Sequence, residues 1–165
     1  MQITITDSGS ANRIAYERSD GSRGTFVFPH KGPFPHDAVH FALEHSLGLK
    51  HGFWGLIASG MEPEEVQAMA KAGGHASAKR AGVPDEAIVE LLQAERVVEC
   101  LEAEIWAGPS DAATFREVAR LACENSHVPS PEISDAALDA VRTHIAVLQA
   151  QWQAGRIAFD WPEPG

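Results

Sequence analysis

The first thirty residues alternate polar and apolar side chains in short segments, whereas the chain beyond residue 36 follows helical spacing. Segments 2–6, 13–17 and 24–28 are rich in β-branched and aromatic residues, and turn residues, including an Asp-Gly pair, separate them. These patterns predict a three-stranded antiparallel meander over residues 1–30. Three strands alone would leave an apolar face in water, so we expect helices to cover it.

Apolar residues recur at helical spacing through residues 36–155, and prolines, glycines and capping residues divide this region into five or six helices. Residues 156–165 are expected to be a tail or an added strand. The fold class is therefore α+β, with a short β-meander followed by a mostly helical bundle in one domain over residues 1–165. The expected helices span residues 36–49, 63–72, 84–106, 111–125 with Ser110 or Asp111 as the cap, and 134–154. The apolar segment 52–60 favours a short buried helix, with a buried strand as the alternative.

Large apolar side chains are expected to fill the core of such a domain. Trp106, Trp152 and Val118 are assigned to it by this rule. Trp161 lies in a proline-rich tail and is harder to bury, which suggests a partner surface, because tryptophan is enriched at interfaces. Long amphipathic helices can also close a symmetric dimer, so we expect a homodimer.

Charge is distributed unevenly along the chain. Residues 1–60 carry five acids and five bases, whereas residues 61–165 carry 18 acids and eight bases and account for the net charge of −10. An acidic surface repels nucleic-acid phosphates and anionic lipids, which argues against nucleic-acid and membrane partners. We see no signal peptide, and Cys100 and Cys123 lack metal or redox spacing, so we expect a cytoplasmic protein with two free thiols.

Histidine is concentrated near the start of the helical part, with five of the eight residues between positions 30 and 51. His36 and His40 lie four residues apart, with Glu44 one turn further. Two imidazoles at this spacing share a helix face and can bind one metal ion. Glu44 would then be a third ligand or would hold His40 by its other ring nitrogen. The alternative is an ordinary helix with a His40–Glu44 pair.

The five residues from His36 to His40 resemble the H-E-x-x-H motif of zincin metallopeptidases, with Asp37 at the position of the catalytic glutamate. The longer zincin pattern does not follow. The His36-Asp37 pair also resembles the HD phosphohydrolases, but the separate upstream histidine and the distant aspartate of that family cannot be identified here. The sequence therefore assigns the chain to neither family.

Further ligands would come from other parts of the chain. His75 follows two glycines, and His144 lies beside the apolar stripe of the last helix, so each is a candidate additional ligand. The acidic side chains of the longest helix are expected to form a solvated face, with paired catalytic carboxylates or a cation site as the alternatives. Those side chains include Glu95, Glu99 and Glu102.

Two functions remain open at the level of sequence. The first is a small metal-binding protein, with hydrolytic activity as an option, that holds zinc, nickel, manganese or iron through His36, His40 and Glu44. The second is a non-catalytic interaction or structural protein, dimeric and without a metal. The sequence has no nucleophile elbow, Walker loop or dinucleotide-binding glycine motif, which favours the second. The sequence identifies neither a small-molecule nor a protein partner.

Overall fold

The N-terminal segments form the antiparallel meander that their alternation predicts, and a fourth strand completes the sheet. The computed structural model describes residues 1–73 and 86–162. The strands lie in the order β3-β2-β1-β4, and all neighbouring pairs are antiparallel. Their bounds are β1 Gln2–Asp7, β2 Ala11–Glu17, β3 Arg23–Pro29 and β4 Arg156–Asp160.

Six α-helices occupy the described part of the chain between β3 and β4, which confirms the α+β class. A single 3-10 turn, Glu86–Ile88, precedes the longest of them. None of the helices in the described residues has the length and hydrophobicity needed to cross a lipid bilayer. The helices are α1 His36–Leu47, α2 Phe53–Ala58, α3 Pro63–Ala72, α4 Val89–Ala107, α5 Ala112–Glu124 and α6 Asp135–Trp152.

One face of the sheet is buried against helices, as period-two alternation requires. Ile5 pairs with Ile14 and Ile157, and all three side chains are buried. The aromatic rings of β3 and β4 extend this face toward the helices: Phe26 lies 6.5 Å from Trp54 of α2, and Phe159 lies 4.0 Å from Phe41 of α1, between ring centroids. One part of the core therefore lies between the sheet and α1 with α2, and the same buried cluster continues among the helices α1, α4, α5 and α6.

The C-terminal segment is a strand rather than a free tail. β4 pairs with β1, and the Trp161 backbone N–H donates to the Met1 carbonyl at 2.8 Å. The expectation that Trp161 is hard to bury was wrong: the side chain is 8% exposed, because β4 carries it onto the sheet edge beside Phe41. Pairing with β1 satisfies the backbone groups of the segment and places its apolar side chains on the core face.

Two residues assigned to the core are exposed instead. Trp106 is 72% exposed, because it shares a helix face with Glu99 and Ala103, both of which are also exposed. Val118 is 48% exposed, because α5 buries only a narrow stripe that includes Phe115 and Ala119. Cys100 and Cys123 are free and buried, as expected.

α1 is the central helix of the molecule and packs against both α4 and α6. It begins after Pro35 and ends at Gly48, whose φ of 66° is a left-handed conformation that glycine adopts without strain. Residues 37–44 are all buried, although three of them are polar or charged. The polar members of this run, Asp37, His40 and Glu44, need partners inside the protein, and they lead to the candidate site.

Candidate metal centre

His36 and His40 lie side by side on the first turns of α1, with their ring centroids 4.7 Å apart. Their Nε2 atoms face each other at 3.2 Å. The four-residue spacing of the sequence produces this arrangement, because one helical turn places the two side chains on the same face. His40 is almost fully buried, and His36 is mostly buried at the helix start.

Glu95 of α4 is the third member of the group. Its Oε1 atom lies 3.6 Å from His40 Nε2, and its Oε2 atom lies 3.8 Å from His36 Nε2. One potential ligand atom from each of the three residues falls within 4.8 Å of the others. Packing of α1 against α4 therefore creates a group of two imidazoles and one carboxylate.

Glu44 lies on the opposite side of the His40 ring. Its Oε1 atom is 2.9 Å from His40 Nδ1, and the carboxylate also accepts the backbone N–H groups of Phe53 at 2.8 Å and Trp54 at 2.9 Å. The close approach requires Gly52, because a Cβ there would meet the Glu44 carboxylate carbon at 2.4 Å. Glu44 therefore occupies the position of a partner that orients His40, and Glu95 is the carboxylate that joins the two Nε2 atoms.

A second carboxylate orients His36 in the same way. Glu102 of α4 places its Oε1 atom 2.9 Å from His36 Nδ1. Each histidine thus has its Nδ1 bonded to a glutamate and its Nε2 turned toward Glu95. Carboxylate partners of this kind fix the tautomer and the orientation of histidines that bind metals.

The other candidate ligands lie elsewhere. His75 is outside the described residues. The Nδ1 atom of His144 on α6 is 3.0 Å from the Ser46 hydroxyl. Its ring meets the His45 ring edge to face, with the centroids 5.2 Å apart, on a different face of α1. It does not belong to the His36, His40 and Glu95 group.

The acidic side chains of α4 are not uniformly solvated, contrary to the expectation for this helix. Glu95 is 12% exposed and faces α1. Glu102 is 31% exposed, and Glu99 is the most exposed of these three side chains at 49%. The sequence holds a signal for this: Glu95 interrupts an apolar stripe that runs through Leu91 and Val98 at helical spacing. A charged residue within such a stripe is buried against the neighbouring helix and needs a partner there.

The neighbouring charges and burial together determine the pKa values of His40 and Asp37. Burial lowers the pKa of His40, but the negative charge of Glu95 and the hydrogen bond to Glu44 outweigh it and raise the pKa to about 10. In the absence of a metal, His40 is therefore an imidazolium at neutral pH. Burial raises the pKa of Asp37, and the nearby His36 and His40 oppose that rise.

The group opens onto a cavity of about 320 Å³, which we call the site cavity. His36, His40 and Glu95 form one end of it. Its other walls come from β2, β3, the loop after β3, α2, α3 and the first turn of α4. A ligand in this space would therefore contact the three candidate metal ligands directly.

Comparison of the chain with protein-family models, curated proteins and solved structures gives no match.

Proposed function

We propose that the protein binds one divalent transition metal ion through His36 Nε2, His40 Nε2 and the carboxylate of Glu95. The observation that carries this proposal is the pairing of each histidine: both Nδ1 atoms are bonded to glutamates while both Nε2 atoms face a third carboxylate. Imidazoles that act only as packing groups do not need this arrangement on both rings. It is typical of metal sites, in which outer carboxylates orient the ligating histidines.

The distances within the group support the same proposal. Ligands placed tetrahedrally at about 2.0–2.1 Å from a zinc ion are about 3.3 Å from one another. The two Nε2 atoms are 3.2 Å apart, and each lies 3.6 or 3.8 Å from a different oxygen of Glu95. One ligand atom from each of the three residues falls within 4.8 Å of the others, so the group is somewhat wider than a bound zinc ion requires. An ion would therefore be bound after the three side chains move closer together, with Glu95 presenting one oxygen to both histidines.

The donor set narrows the metal and its chemistry. Two imidazoles and one carboxylate suit zinc, nickel, manganese or iron, and they are ligands of known zinc hydrolases and of iron oxygenases. Zinc is the first candidate, because nitrogen donors at tetrahedral spacing favour it. Three protein ligands leave room for a water molecule whose pKa zinc lowers to about 7, which is the basis of hydrolytic catalysis.

Elemental analysis of tag-free protein tests the proposal, together with zinc titration of protein stripped by a chelator. We expect one zinc per chain and a higher Tm in the loaded protein, since a ligand at about 100 times its Kd stabilises the folded state by about 2.7 kcal/mol. The double variant His36→Ala/His40→Ala should lose both effects, and Glu95→Gln should weaken binding.

The matched control is His51→Ala, because His51 is 66% exposed and lies outside the group. It should bind zinc like the unmodified protein. The proposal fails if no stoichiometric metal is found and zinc, nickel, manganese and iron all leave the Tm unchanged. It also fails if His51→Ala lowers zinc affinity as much as the double variant does.

A second proposal, a homodimer in which the protein acts through interaction rather than catalysis, is supported by exposed apolar side chains. Trp106 is the largest of them, and tryptophan is enriched at interfaces. Trp106→Glu should then shift the protein from dimer to monomer in sedimentation equilibrium. A monomer at every concentration for the unmodified protein would remove this proposal and would leave the metal proposal untouched.

A further inference from the structure

The site cavity has an apolar wall that the candidate metal ligands do not use. Its volume of about 320 Å³ lies within the range of about 300–1,000 Å³ that is common for small-molecule sites. Metal ions and water need no such wall, whereas an organic molecule would bury its apolar surface there. The residues of this wall are Phe28, Phe53, Val66, Ala70 and Leu91.

Lysines are concentrated at this cavity. The chain contains four lysines, and two of the three that lie within residues 1–73 and 86–162, Lys31 and Lys71, line it. Lys31 lies in the loop after β3 and Lys71 in the last turn of α3, so the two charges come from different elements. In a chain with a net charge of −10, composition alone does not account for two cations at one cavity.

These two ammonium groups have no ion-pair partner in the part of the chain that the structure describes. Both side chains are exposed, and neither forms a salt bridge or a hydrogen bond with another described residue. The carboxylates around the histidines are engaged there instead: Glu44 and Glu102 each contact an Nδ1 atom, and Glu95 faces both Nε2 atoms. An anionic ligand would therefore meet two lysines without first displacing a protein carboxylate.

Two acids also line the cavity, and both lie at its histidine end. Glu95 faces His36 and His40, and Asp37 follows His36 directly at the start of α1. Burial raises the pKa of Asp37, and the charge of Lys31 is among those that oppose this rise, so Lys31 acts on the cavity without pairing to Asp37. The positive charge that these acids face is that of the histidine group or of a bound ion, which leaves the lysines for a ligand.

We propose that the site cavity binds an organic monocarboxylate with an apolar body. The carboxylate pairs with the ammonium groups of Lys31 and Lys71, whose flexible stems can follow it, and the body packs on the apolar wall. These contacts do not need a metal. A bound ion would add to the attraction for the anion, and this addition alone rests on the proposed metal function.

Other ligand classes use only part of the lining. A neutral amide of the same shape packs on the wall but does not engage the lysines as ion pairs. An organic ammonium ion would be repelled by both lysines and by a bound ion. A phosphate monoester carries nearly two negative charges at neutral pH, so it would lose more hydration than a carboxylate on entering a cavity with an apolar wall.

Binding of benzoate, benzamide and phenyl phosphate to ¹⁵N-labelled, metal-stripped protein tests the proposal, with amide shifts as the readout. Benzoate and benzamide have nearly the same shape, but only benzoate is charged. We expect benzoate to bind about 2- to 30-fold more tightly than benzamide, the combined effect of two solvent-accessible ion pairs. High salt should reduce this preference, because it screens such pairs.

The double variant Lys31→Gln/Lys71→Gln should lose the preference for benzoate and keep the affinity for benzamide. Both lysines are exposed, so the variant is expected to fold. Lys50→Gln is the matched control, because Lys50 is exposed and is the one described lysine that does not line the cavity. It should keep the full preference for benzoate.

Equal affinities for benzoate and benzamide in the unmodified protein would overturn the proposal, and this comparison needs no variant. A preference that survives in the double lysine variant, or tighter binding of phenyl phosphate than of benzoate, would overturn it too. If zinc fails to bind but the lysine-dependent preference is present in stripped protein, the metal function alone is wrong. If zinc binds and stripped protein shows no preference, the carboxylate proposal alone is wrong.

Discussion

Glu44 shows how a single buried carboxylate can organise a site without belonging to the ligand group. Its side chain is fully buried, and its carboxylate oxygens are within hydrogen-bond distance of His40 Nδ1 and of the backbone N–H groups of Phe53 and Trp54. These donors hold the carboxylate in one orientation, and the carboxylate in turn holds the imidazole ring. The direction of His40 Nε2 toward His36 follows from that chain of contacts.

The variant Glu44→Gln separates the role of Glu44 in stability from its role in orienting His40. In this variant the side-chain NH₂ group must face one of the two backbone N–H groups, so we expect the metal-free protein to lose about 1–3 kcal/mol of stability in urea unfolding. Zinc affinity should fall about 10- to 100-fold, as it does when outer partners of ligating histidines are removed.

Glu102→Gln is the matched comparison, because Glu102 also bonds a histidine Nδ1 but its side chain is 31% exposed. Its zinc affinity should fall similarly, and its stability should change little. Equal losses of stability in the two variants would contradict the distinct role of Glu44.

The charge state of His40 gives a prediction about pH. The pKa of His40 in the folded protein is about 10, above its usual value of 6.5. A raised folded-state pKa stabilises the protein fully below the unfolded pKa, and this contribution is lost as pH rises through the folded pKa. Metal-free protein should therefore lose stability between about pH 6.5 and 10.

Two measurements check this prediction. Imidazole NMR signals of His40 in metal-free protein should still show the protonated form at pH 8. Unfolding across the same pH range should show a flatter dependence in His40→Gln. A protonation midpoint near the usual 6.5 would contradict the charge network around His40.

At the scale of the elements, the site depends on two contacts of α1. Its contact with α4 brings in Glu95 and Glu102, and its contact with the start of α2 provides backbone N–H groups that donate to Glu44. The sequence predicts the first half of the site, because His36, His40 and Glu44 lie on one helix at a spacing that helical geometry fixes. The partners from α4 lie more than fifty residues away. Their place depends on which helices pack together, which local spacing does not determine.

Gly52 tests the contact between α1 and α2. A Cβ there would lie 2.4 Å from the Glu44 carboxylate carbon. Gly52→Ala should push the carboxylate away from His40, lower stability by about 1–3 kcal/mol and reduce zinc affinity. Gly32→Ala is the control, because a Cβ at Gly32 meets nothing within 4 Å. Similar unfolding midpoints for the two variants would show that α2 does not constrain Glu44.

At the scale of the whole molecule, β4 joins the last described residues to the first strand. The alternation of Arg156–Asp160 is compatible with a strand, but a five-residue pattern does not specify its neighbour. The choice of β1 depends on the free edge of the meander and on α6, which delivers the chain to that edge. The same pairing buries Trp161, whereas Trp106 is exposed because it lies on the face of α4 that carries Glu99 and Ala103; both outcomes differ from the expectation from the sequence.

These two tryptophans form a natural pair for a stability experiment. Trp161→Ala should destabilise the protein by about 3–5 kcal/mol, the range for large aromatic residues in a core. At a protein concentration low enough for the monomer, Trp106→Ala should change stability by no more than about 0.5 kcal/mol, as is usual for exposed sites. Chemical denaturation monitored by far-UV circular dichroism gives both values, and a comparable loss in the two variants would contradict the described packing of β4.

The position of Trp54 has an optical consequence. Its backbone N–H donates to Glu44, its indole N–H donates to the Asp37 carbonyl at 2.8 Å, and its side chain is fully buried. An ion that replaces the proton of His40 would change the electric field at this indole through Glu44. Trp54 is therefore an internal fluorophore for the site, and a shift in its blue-edge emission would report metal loading without any added dye.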